Sequence, residues 1–209
     1  KAIKPNICVL ENVSFETQEL SDYIAEVGRD LFTLGLRETL VQFGEADNFG
    51  SLIRPKLTNV QDVLPLVEAR KIDGNLFLAN THQKVLKVLR MAEYLSRRYQ
   101  VVIANPPYMG SKGMTARTKR FAEDEYPIVK SNLFSMFMIR IFELVSVGGE
   151  VGLMTPISWM SLSSFEKLRT KLFDSLSITT FIQPEYNAFW YSAHVAICVF
   201  TLHARQAND

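Results

Sequence analysis

The chain is poor in the residues that build metal sites and disulfide frameworks. It has two cysteines, Cys8 and Cys198, and three histidines, His82, His194 and His203, among its 209 residues. Each cysteine lies in an apolar, strand-like run, which predicts buried thiols rather than a disulfide or a metal pair. The histidines do not have the short spacing of metal ligands. We therefore expect no metal site in this chain.

Long apolar runs and an excess of one charge sign are absent too. No run approaches the ~20 apolar residues of a membrane span, and no secretory signal peptide is recognisable. We therefore expect a cytoplasmic protein with no membrane partner. The net charge is +1, so no overall field attracts nucleic acid, and any DNA contact must come from local basic patches. The length suits one domain, or one large piece of a domain.

A short β-branched run followed by two prolines is the most informative stretch of the sequence. Residues 99–104 predict a buried strand, and Asn105, Pro106, Pro107 and Tyr108 come directly after it. Neither proline can donate a ladder hydrogen bond, so the strand ends there and the tetrapeptide forms a rigid loop. Ligands bind at the carboxyl ends of strands in open α/β sheets, which makes this loop a candidate site.

The tetrapeptide has the groups needed to hold a planar amino group. Asn105 offers an amide oxygen, Pro106 a backbone carbonyl and Tyr108 a flat ring. Two acceptors beside an aromatic face can take both hydrogens of an –NH2 group while the ring stacks on the ligand. The alternative interpretation is a plain strand terminator made of two prolines.

Two stretches carry clustered positive charge. A glycine-bearing segment at 110–120 follows the tetrapeptide and includes Lys112, Arg117 and Lys119, which are candidates for phosphate contact or for a closing lid. An ordinary exposed loop is the alternative there. A predicted helix upstream has a second basic face. It indicates either a solvated surface or a phosphate track. Its residues are Lys84, Lys87, Arg90, Arg97 and Arg98.

Helical and strand patterns alternate along the chain. In the first half we expect a strand at 6–10, helical sequence at 16–43 that is continuous, kinked or split into two helices at Gly28 and Gly35, a short helix at 60–70, and a helix capped by Asn80 or Thr81. In the second half we expect a helix at 132–147 ended by Gly148 and Gly149, a strand at 150–155, a helix opened by a capping box at 163–166, and strands at 178–182 and 193–203. This order predicts an α/β fold with a partial doubly wound, mostly parallel sheet that ends in an antiparallel strand pair. A helical segment is expected at about 14–98.

The tetrapeptide and two further stretches resemble a known enzyme family. Asn-Pro-Pro-Tyr after a strand, the continuation Tyr108-Met109-Gly110, and the later Lys130-Ser131-Asn132-Leu133-Phe134 resemble bacterial adenine-N6 DNA methyltransferases. Within those, the chain resembles the large PglX-like enzymes of phage-exclusion (BREX) systems, over about residues 6–203. The resemblance implies methyl transfer from S-adenosylmethionine (SAM) to the N6 amino group of adenine in DNA, with restriction-modification or phage defence as the context.

The resemblance also implies roles for individual residues. Asn105, Pro106, Pro107 and Tyr108 match the catalytic motif. A second aromatic that holds the target base corresponds to Phe189 or Trp190. The family's stretch near the cofactor corresponds to Ser131, Leu133 and Phe134.

The glycine-rich turn that holds the cofactor in this family has no counterpart in the sequence, nor has the acidic residue that follows it. Lys1 is not a natural start residue. We therefore expect residues 1–209 to be the C-terminal portion of a class I methyltransferase domain within a larger enzyme, with the missing upstream half and a target-recognition domain as partners. Alone, the chain is expected to be inactive and to self-associate through its exposed sheet edge.

Two interpretations other than DNA methylation remain open: methylation of another planar amino group, and DNA binding without catalysis. A planar amino group on RNA, or on a glutamine side chain of a protein, would suit the same acceptors. A module that keeps the fold and binds DNA without catalysis is the third interpretation, because the cofactor turn is lacking.

Overall fold

The computed structural model describes residues 4–27, 34–72, 75–185 and 195–205. By their contacts these residues fall into two units, Lys1–Arg97 and Arg98–Asp209. Each unit buries apolar side chains of its own.

The first unit is helical in its described part. Its helices are α1 (Thr17–Val27), α2 (Leu34–Gln42), α3 (Ala46–Phe49), α4 (Val60–Glu68) and α5 (Leu76–Ser96), with short 3-10 turns at Phe43–Glu45 and Gly50–Leu52. The long helix α5 packs against α1, α2 and α4 through its apolar stripe, which includes the fully buried Val85, Val88 and Leu89.

A buried polar pair joins α1 and α5. The Tyr23 hydroxyl lies 2.6 Å from His82 Nδ1, which satisfies both groups inside the unit. Burial raises the pKa of Tyr23 to about 12, and burial lowers the pKa of His82. His82 is therefore a neutral core residue.

Two expectations for the first unit need correction. The predicted strand at 6–10 is wrong, because those residues are irregular, and Ile7 and Val9 are exposed. A strand needs a pairing partner, and the described part of this unit contains none. The cap of α5 is Asn75, whose Oδ1 accepts from Phe77 N at 3.0 Å, so the proposed caps Asn80 and Thr81 lie inside the helix. The helical prediction for 16–43 is confirmed over α1 and α2, and residues 28–33 between them lie outside the described residues.

The second unit contains a four-stranded mixed sheet within its described residues. The strands are β1 (Tyr99–Ala104), β2 (Val145–Pro156), β3 (Leu176–Ile182) and β4 (Ile197–Ala204), in the order β1-β2-β4-β3. The helices are α6 (Ala116–Glu125), α7 (Leu133–Leu144), α8 (Ser158–Ser161) and α9 (Glu166–Ser175), with 3-10 turns at Ser111–Gly113 and Ser163–Phe165.

The α/β class and the terminal antiparallel pair β3–β4 are confirmed. The parallel part is smaller than expected: β1 and β2 are the parallel pair among the described strands, and β2 pairs antiparallel with β4. The difference arises because β4 lies between β2 and β3 and runs antiparallel to both, so β3 shares the direction of β1 and β2 but does not pair with them.

Strand β1 forms as predicted but is not buried. It lies at the edge of the sheet and pairs with β2, and on one face Val101 is 58% and Ile103 78% exposed. A β-branched run predicts a strand but does not tell what covers its faces.

The pair Gly148 and Gly149 lies in β2 rather than at the end of α7, which stops at Leu144. The register jumps from Tyr99 opposite Val145 to Val101 opposite Glu150, so the glycines form a bulge. Gly148 has a φ of +73°, and a Cβ on Gly149 would lie 2.8 Å from the Gln100 carbonyl oxygen. Glycine is therefore required here by the bulge.

The predicted capping box at 163–166 is also not formed. Helix α9 begins at Glu166 without a side-chain cap hydrogen bond, because the 3-10 turn Ser163–Phe165 leads directly into it.

Across the described ranges, no helix combines the length and the apolar character needed to cross a bilayer. The same residues include no group of three His, Cys, Asp or Glu side chains placed to hold a metal.

Candidate active site at the end of β1

The tetrapeptide forms a loop directly after β1, as predicted. Asn105 and Pro107 are exposed, Pro106 is buried, and Tyr108 is 38% exposed. The buried proline anchors the loop while the amide and the ring on either side of it remain accessible. Because β1 and β2 are parallel, the loop lies at the same edge of the sheet as the end of β2 at Pro156.

The loop continues into a segment that is hydrogen-bonded to the start of α7. Leu133 N donates to the Met109 carbonyl and Ser111 N donates to the Ser131 carbonyl, each at 2.8 Å, and Gly110 forms an antiparallel bridge with Asn132. The structure thus brings together two stretches whose paired residues are 20 to 24 positions apart in the sequence. Both stretches carry the family resemblance.

Within the tetrapeptide, the Tyr108 hydroxyl donates to Asn105 Oδ1 at 2.9 Å. Burial raises the pKa of Tyr108 above its usual value, with a smaller contribution from the charge that Cys198 would carry as a thiolate. Sequence reasoning treated Tyr108 as a ring alone and missed this bond. The spacing of three residues across two rigid prolines was the available signal.

A buried polar cluster lies at the same end of the sheet. Trp159 Nε1 donates to Thr155 Oγ1 at 3.0 Å, and Thr155 Oγ1 lies 3.5 Å from Cys198 Sγ. All three side chains are fully buried. Burial raises the pKa of the Cys198 thiol, although hydrogen bonds with Thr155 and Trp159 act in the other direction. Cys198 is a free, neutral thiol as expected, whereas Cys8, also free, is only partly buried.

Thr155 and Trp159 were not among the predicted site residues. Thr155 precedes the proline that ends β2, just as Asn105 precedes the proline after β1. Parallel strands end on the same side of a sheet. The two prolines could therefore have indicated that Thr155 and Asn105 lie at the same end of the sheet.

The three residues predicted to lie near the cofactor differ in exposure. Ser131 is exposed and Leu133 partly buried, and both lie beside the loop. Phe134 is only 3% exposed, and its ring centroid lies 5.5 Å from that of Phe165. Phe134 is therefore part of the core, and a cofactor role for the three residues remains a prediction.

The basic segment after the loop is largely ordered structure. Lys112 lies in the 3-10 turn, and Arg117 and Lys119 lie on α6, where Thr115 Oγ1 caps the helix by accepting from Thr118 N at 3.1 Å. The alternative interpretation of 110–120 as an ordinary exposed loop is wrong from 116 onward, because this cap starts a helix. All three basic side chains are exposed, and Lys112 and Lys119 have no acidic partner among the described residues.

The basic face of α5 is occupied by ion pairs. Lys84 pairs with Glu19 at 2.8 Å, Lys87 with Glu11 at 2.5 Å, and Arg90 with Glu68 at 2.9 Å; Arg97 pairs with Glu93. Arg98, which follows α5, donates to the Val145 carbonyl at 3.3 Å. These contacts favour the interpretation as a solvated face over a phosphate track.

The predicted second aromatic, Phe189 or Trp190, lies outside the described residues, in the stretch 186–194.

The fold and the loop define an α/β protein with a candidate site for a planar amino group at the end of a strand. Residues 38–189 match the family described as Eco57I restriction-modification methylase. Because the match spans well over half of the 209 residues, the chain belongs to this family.

Two curated relatives are similar over most of the chain. The adenine-specific methyltransferase BrxX of Escherichia coli O9:H4 (strain HS) is 34% identical over 157 residues, which are 74% of this chain and 13% of the relative. The adenine-specific methyltransferase PglX of Lacticaseibacillus casei (strain Zhang) is 32% identical over 176 residues, which are 81% of this chain and 14% of the relative. The chain thus spans about one seventh of the length of these relatives.

Among solved structures, the M protein of the type I restriction enzyme EcoKI aligns with 54% of this chain and 22% of its own. The identity is 17% and the TM-score 0.42.

Proposed function

We propose that this chain is part of a larger enzyme that transfers a methyl group from SAM to the N6 amino group of adenine in DNA. The observation that carries the proposal is the Asn105–Tyr108 loop, exposed at the carboxyl end of β1 in a member of a methylase family. The names of the two relatives support adenine as the target. We place the activity in the cytoplasm, in DNA modification for restriction or phage defence.

The loop acts by holding the target amine. The lone pair of adenine N6 is delocalised into the ring, which makes the nitrogen a poor nucleophile. One amine hydrogen is donated to Asn105 Oδ1 and the other to the Pro106 carbonyl, which favours a tetrahedral nitrogen. The same two acceptors stabilise the positive charge that develops on the amine, because they are already in place when the charge appears.

The target base has to leave the duplex before the loop can reach its amino group. Tyr108 is partly exposed beside Asn105 and stacks on one face of the base. The second aromatic that the family resemblance implies, Phe189 or Trp190, is proposed for the other face. Stacking of this kind stabilises the extruded base without reading its sequence.

Contact with the DNA backbone is assigned to Lys112, Arg117 and Lys119. All three are exposed on the segment that directly follows the catalytic loop. Positive side chains next to the loop neutralise phosphates and position the duplex without specifying sequence.

The described residues fit SAM only in part. Ser131 and Leu133 lie beside the loop, but Phe134 is packed in the core, and the described strands and helices supply no glycine-rich turn of the kind that cradles such a cofactor. We therefore expect the isolated chain neither to bind SAM tightly nor to methylate DNA, because few contacts would offset the cost of binding. Calorimetric titration tests this, and one-to-one micromolar binding would show a complete site.

The proposed function is tested with the full-length protein and isotopically labelled SAM. Duplex DNA, single-stranded RNA and a glutamine-containing protein extract are offered in parallel, and the products are hydrolysed and separated by mass spectrometry. The proposal predicts N6-methyladenine from the DNA. Label in RNA or in methylglutamine instead would assign the loop to another substrate, and no label in any of the three would indicate a module without catalysis.

A further inference from the structure

The bond between Tyr108 and Asn105 closes the catalytic loop on itself. The loop is fixed at both ends. At Asn105 it continues from β1, and just after Tyr108 the Met109 carbonyl accepts a hydrogen bond from Leu133 N. Pro106 and Pro107 restrict the backbone between them. The Tyr108 hydroxyl then restrains the remaining mobile part of the loop, the Asn105 side chain.

Such a restraint matters because the Asn105 side chain is exposed. An exposed asparagine rotates about both side-chain torsions, and few of the resulting positions place its oxygen where an amine can donate to it. A carboxamide oxygen has two lone pairs, so the Tyr108 hydroxyl occupies one and leaves the other for the ligand.

The hydroxyl is suited to donate throughout the working pH range. Burial raises the pKa of Tyr108, so the group keeps its proton. Its 2.9 Å separation from Asn105 Oδ1 is ordinary for a hydroxyl donor. A donor held in this way contributes to rate by preorganisation rather than by chemistry of its own.

We propose that the Tyr108 hydroxyl is a positioning group that holds the Asn105 amide oxygen ready for the target amine, as a role separate from stacking by the Tyr108 ring. The inference rests on the proposed function, since it assigns a second task to a residue of the same site.

The test compares full-length Tyr108→Phe with the wild type on a duplex that has one target adenine. Two quantities are measured: base extrusion, from the fluorescence of 2-aminopurine at the target position, and the single-turnover rate of methyl transfer. Tyr108→Phe keeps the ring, so extrusion and duplex affinity stay at the wild-type level. The transfer rate falls about three- to tenfold, as expected for one lost hydrogen bond.

Three further variants separate positioning from a general structural effect. Tyr108→Ala removes ring and hydroxyl, so it lowers both extrusion and transfer. Tyr94→Phe is a matched control, because Tyr94 donates in the same way to Asn6 Oδ1 in the first unit, and it leaves both quantities unchanged. In an Asn105→Ala background, Tyr108→Phe causes no further loss of rate, because the group that it positions is gone.

Equal transfer rates for Tyr108→Phe and wild type would overturn the inference while leaving the proposed function intact. A rate loss that persists unchanged in the Asn105→Ala background would also overturn it, because the hydroxyl would then act through another group. Absence of methyl transfer by the wild type would overturn the proposed function and this inference with it.

Discussion

Two basic stretches, the face of α5 and residues 112–119, look alike in the sequence and differ in what surrounds their charges. On α5, each of Lys84, Lys87 and Arg90 contacts a carboxylate of its own unit. Burial raises the pKa of Glu19, but hydrogen bonds from Lys84 and Thr81 outweigh it and lower that pKa overall. Lys112 and Lys119 are exposed on the segment that follows the Asn105–Tyr108 loop, and they have no acidic partner in the described part of the chain.

The difference shows how local structure decides what a charge can do. A lysine that already pairs with a carboxylate gains little from a phosphate, because the first partner has to be given up. An unpaired lysine near a site keeps its whole charge for a ligand. Sequence clustering alone does not separate these cases, since the partners Glu11, Glu19 and Glu68 come from other elements.

The largest effect is expected at the Asn105–Tyr108 loop, where catalysis is proposed. Asn105→Ala in the full-length enzyme should lower single-turnover methyl transfer to duplex DNA by ~10²–10³-fold, because one preorganised contact to the developing charge is lost. SAM affinity should stay near normal, since Asn105 is proposed to hold the amine. Lys87→Ala, on the face of α5, is the control and should leave the rate unchanged. A rate for Asn105→Ala within about threefold of wild type would remove Asn105 from the site.

A smaller effect should separate the two basic stretches directly. The double variant Lys112→Ala/Lys119→Ala should weaken duplex binding and reduce the slope of log affinity against log salt by about 0.9 per lost phosphate contact. The matched variant Lys84→Ala/Lys87→Ala removes the same charge from α5 and should leave that slope unchanged. Fluorescence anisotropy over a salt series measures both. Equal slopes for the two double variants would show that the ion pairs do not matter for DNA contact.

The smallest predicted effect concerns the exposed edge of the sheet. The isolated chain should self-associate through β1, where Val101 and Ile103 are exposed on an edge strand. Ile103→Lys should shift the chain toward monomer in sedimentation velocity, because a charge on an edge strand opposes strand addition. Phe77→Lys replaces an equally exposed apolar residue on a helix and should change little. The same shift for both variants would indicate association through exposed apolar groups in general.

Periodicity predicted most elements of the second unit correctly. The apolar residues of α7 recur at helical spacing, and Met138 and Ile141 are buried as such a stripe requires. The run before the prolines predicted β1 but not its exposure, since burial of a strand depends on residues far away in the sequence. The prediction of a strand at 6–10 was wrong for the same reason: an apolar run forms a strand only where a neighbouring strand can hydrogen-bond to it.

For the candidate site, the motif located Asn105–Tyr108 and the structure added its surroundings. The contact of Met109–Ser111 with Ser131–Leu133 is long-range pairing, which local patterns do not encode. The bond from Tyr108 to Asn105 depends on loop geometry, and the cluster of Thr155, Trp159 and Cys198 depends on strand register. The cap of α6 by Thr115 was predictable from the sequence, because threonine is a favoured N-cap residue. The glycines of the segment 110–120 favoured a loop instead.

The central claim, that Asn105 holds the target amine, is tested most directly by removing each partner in turn. Full-length wild type and Asn105→Ala are titrated with two duplexes, one with adenine at the target position and one with purine, which lacks the 6-amino group. Replacing adenine by purine should weaken duplex binding more in the wild type than in Asn105→Ala. The difference between the two losses, the coupling free energy, should be about 0.5–1.5 kcal/mol. Equal penalties in the two proteins, and hence no coupling, would show that Asn105 does not contact the amine and would contradict the account.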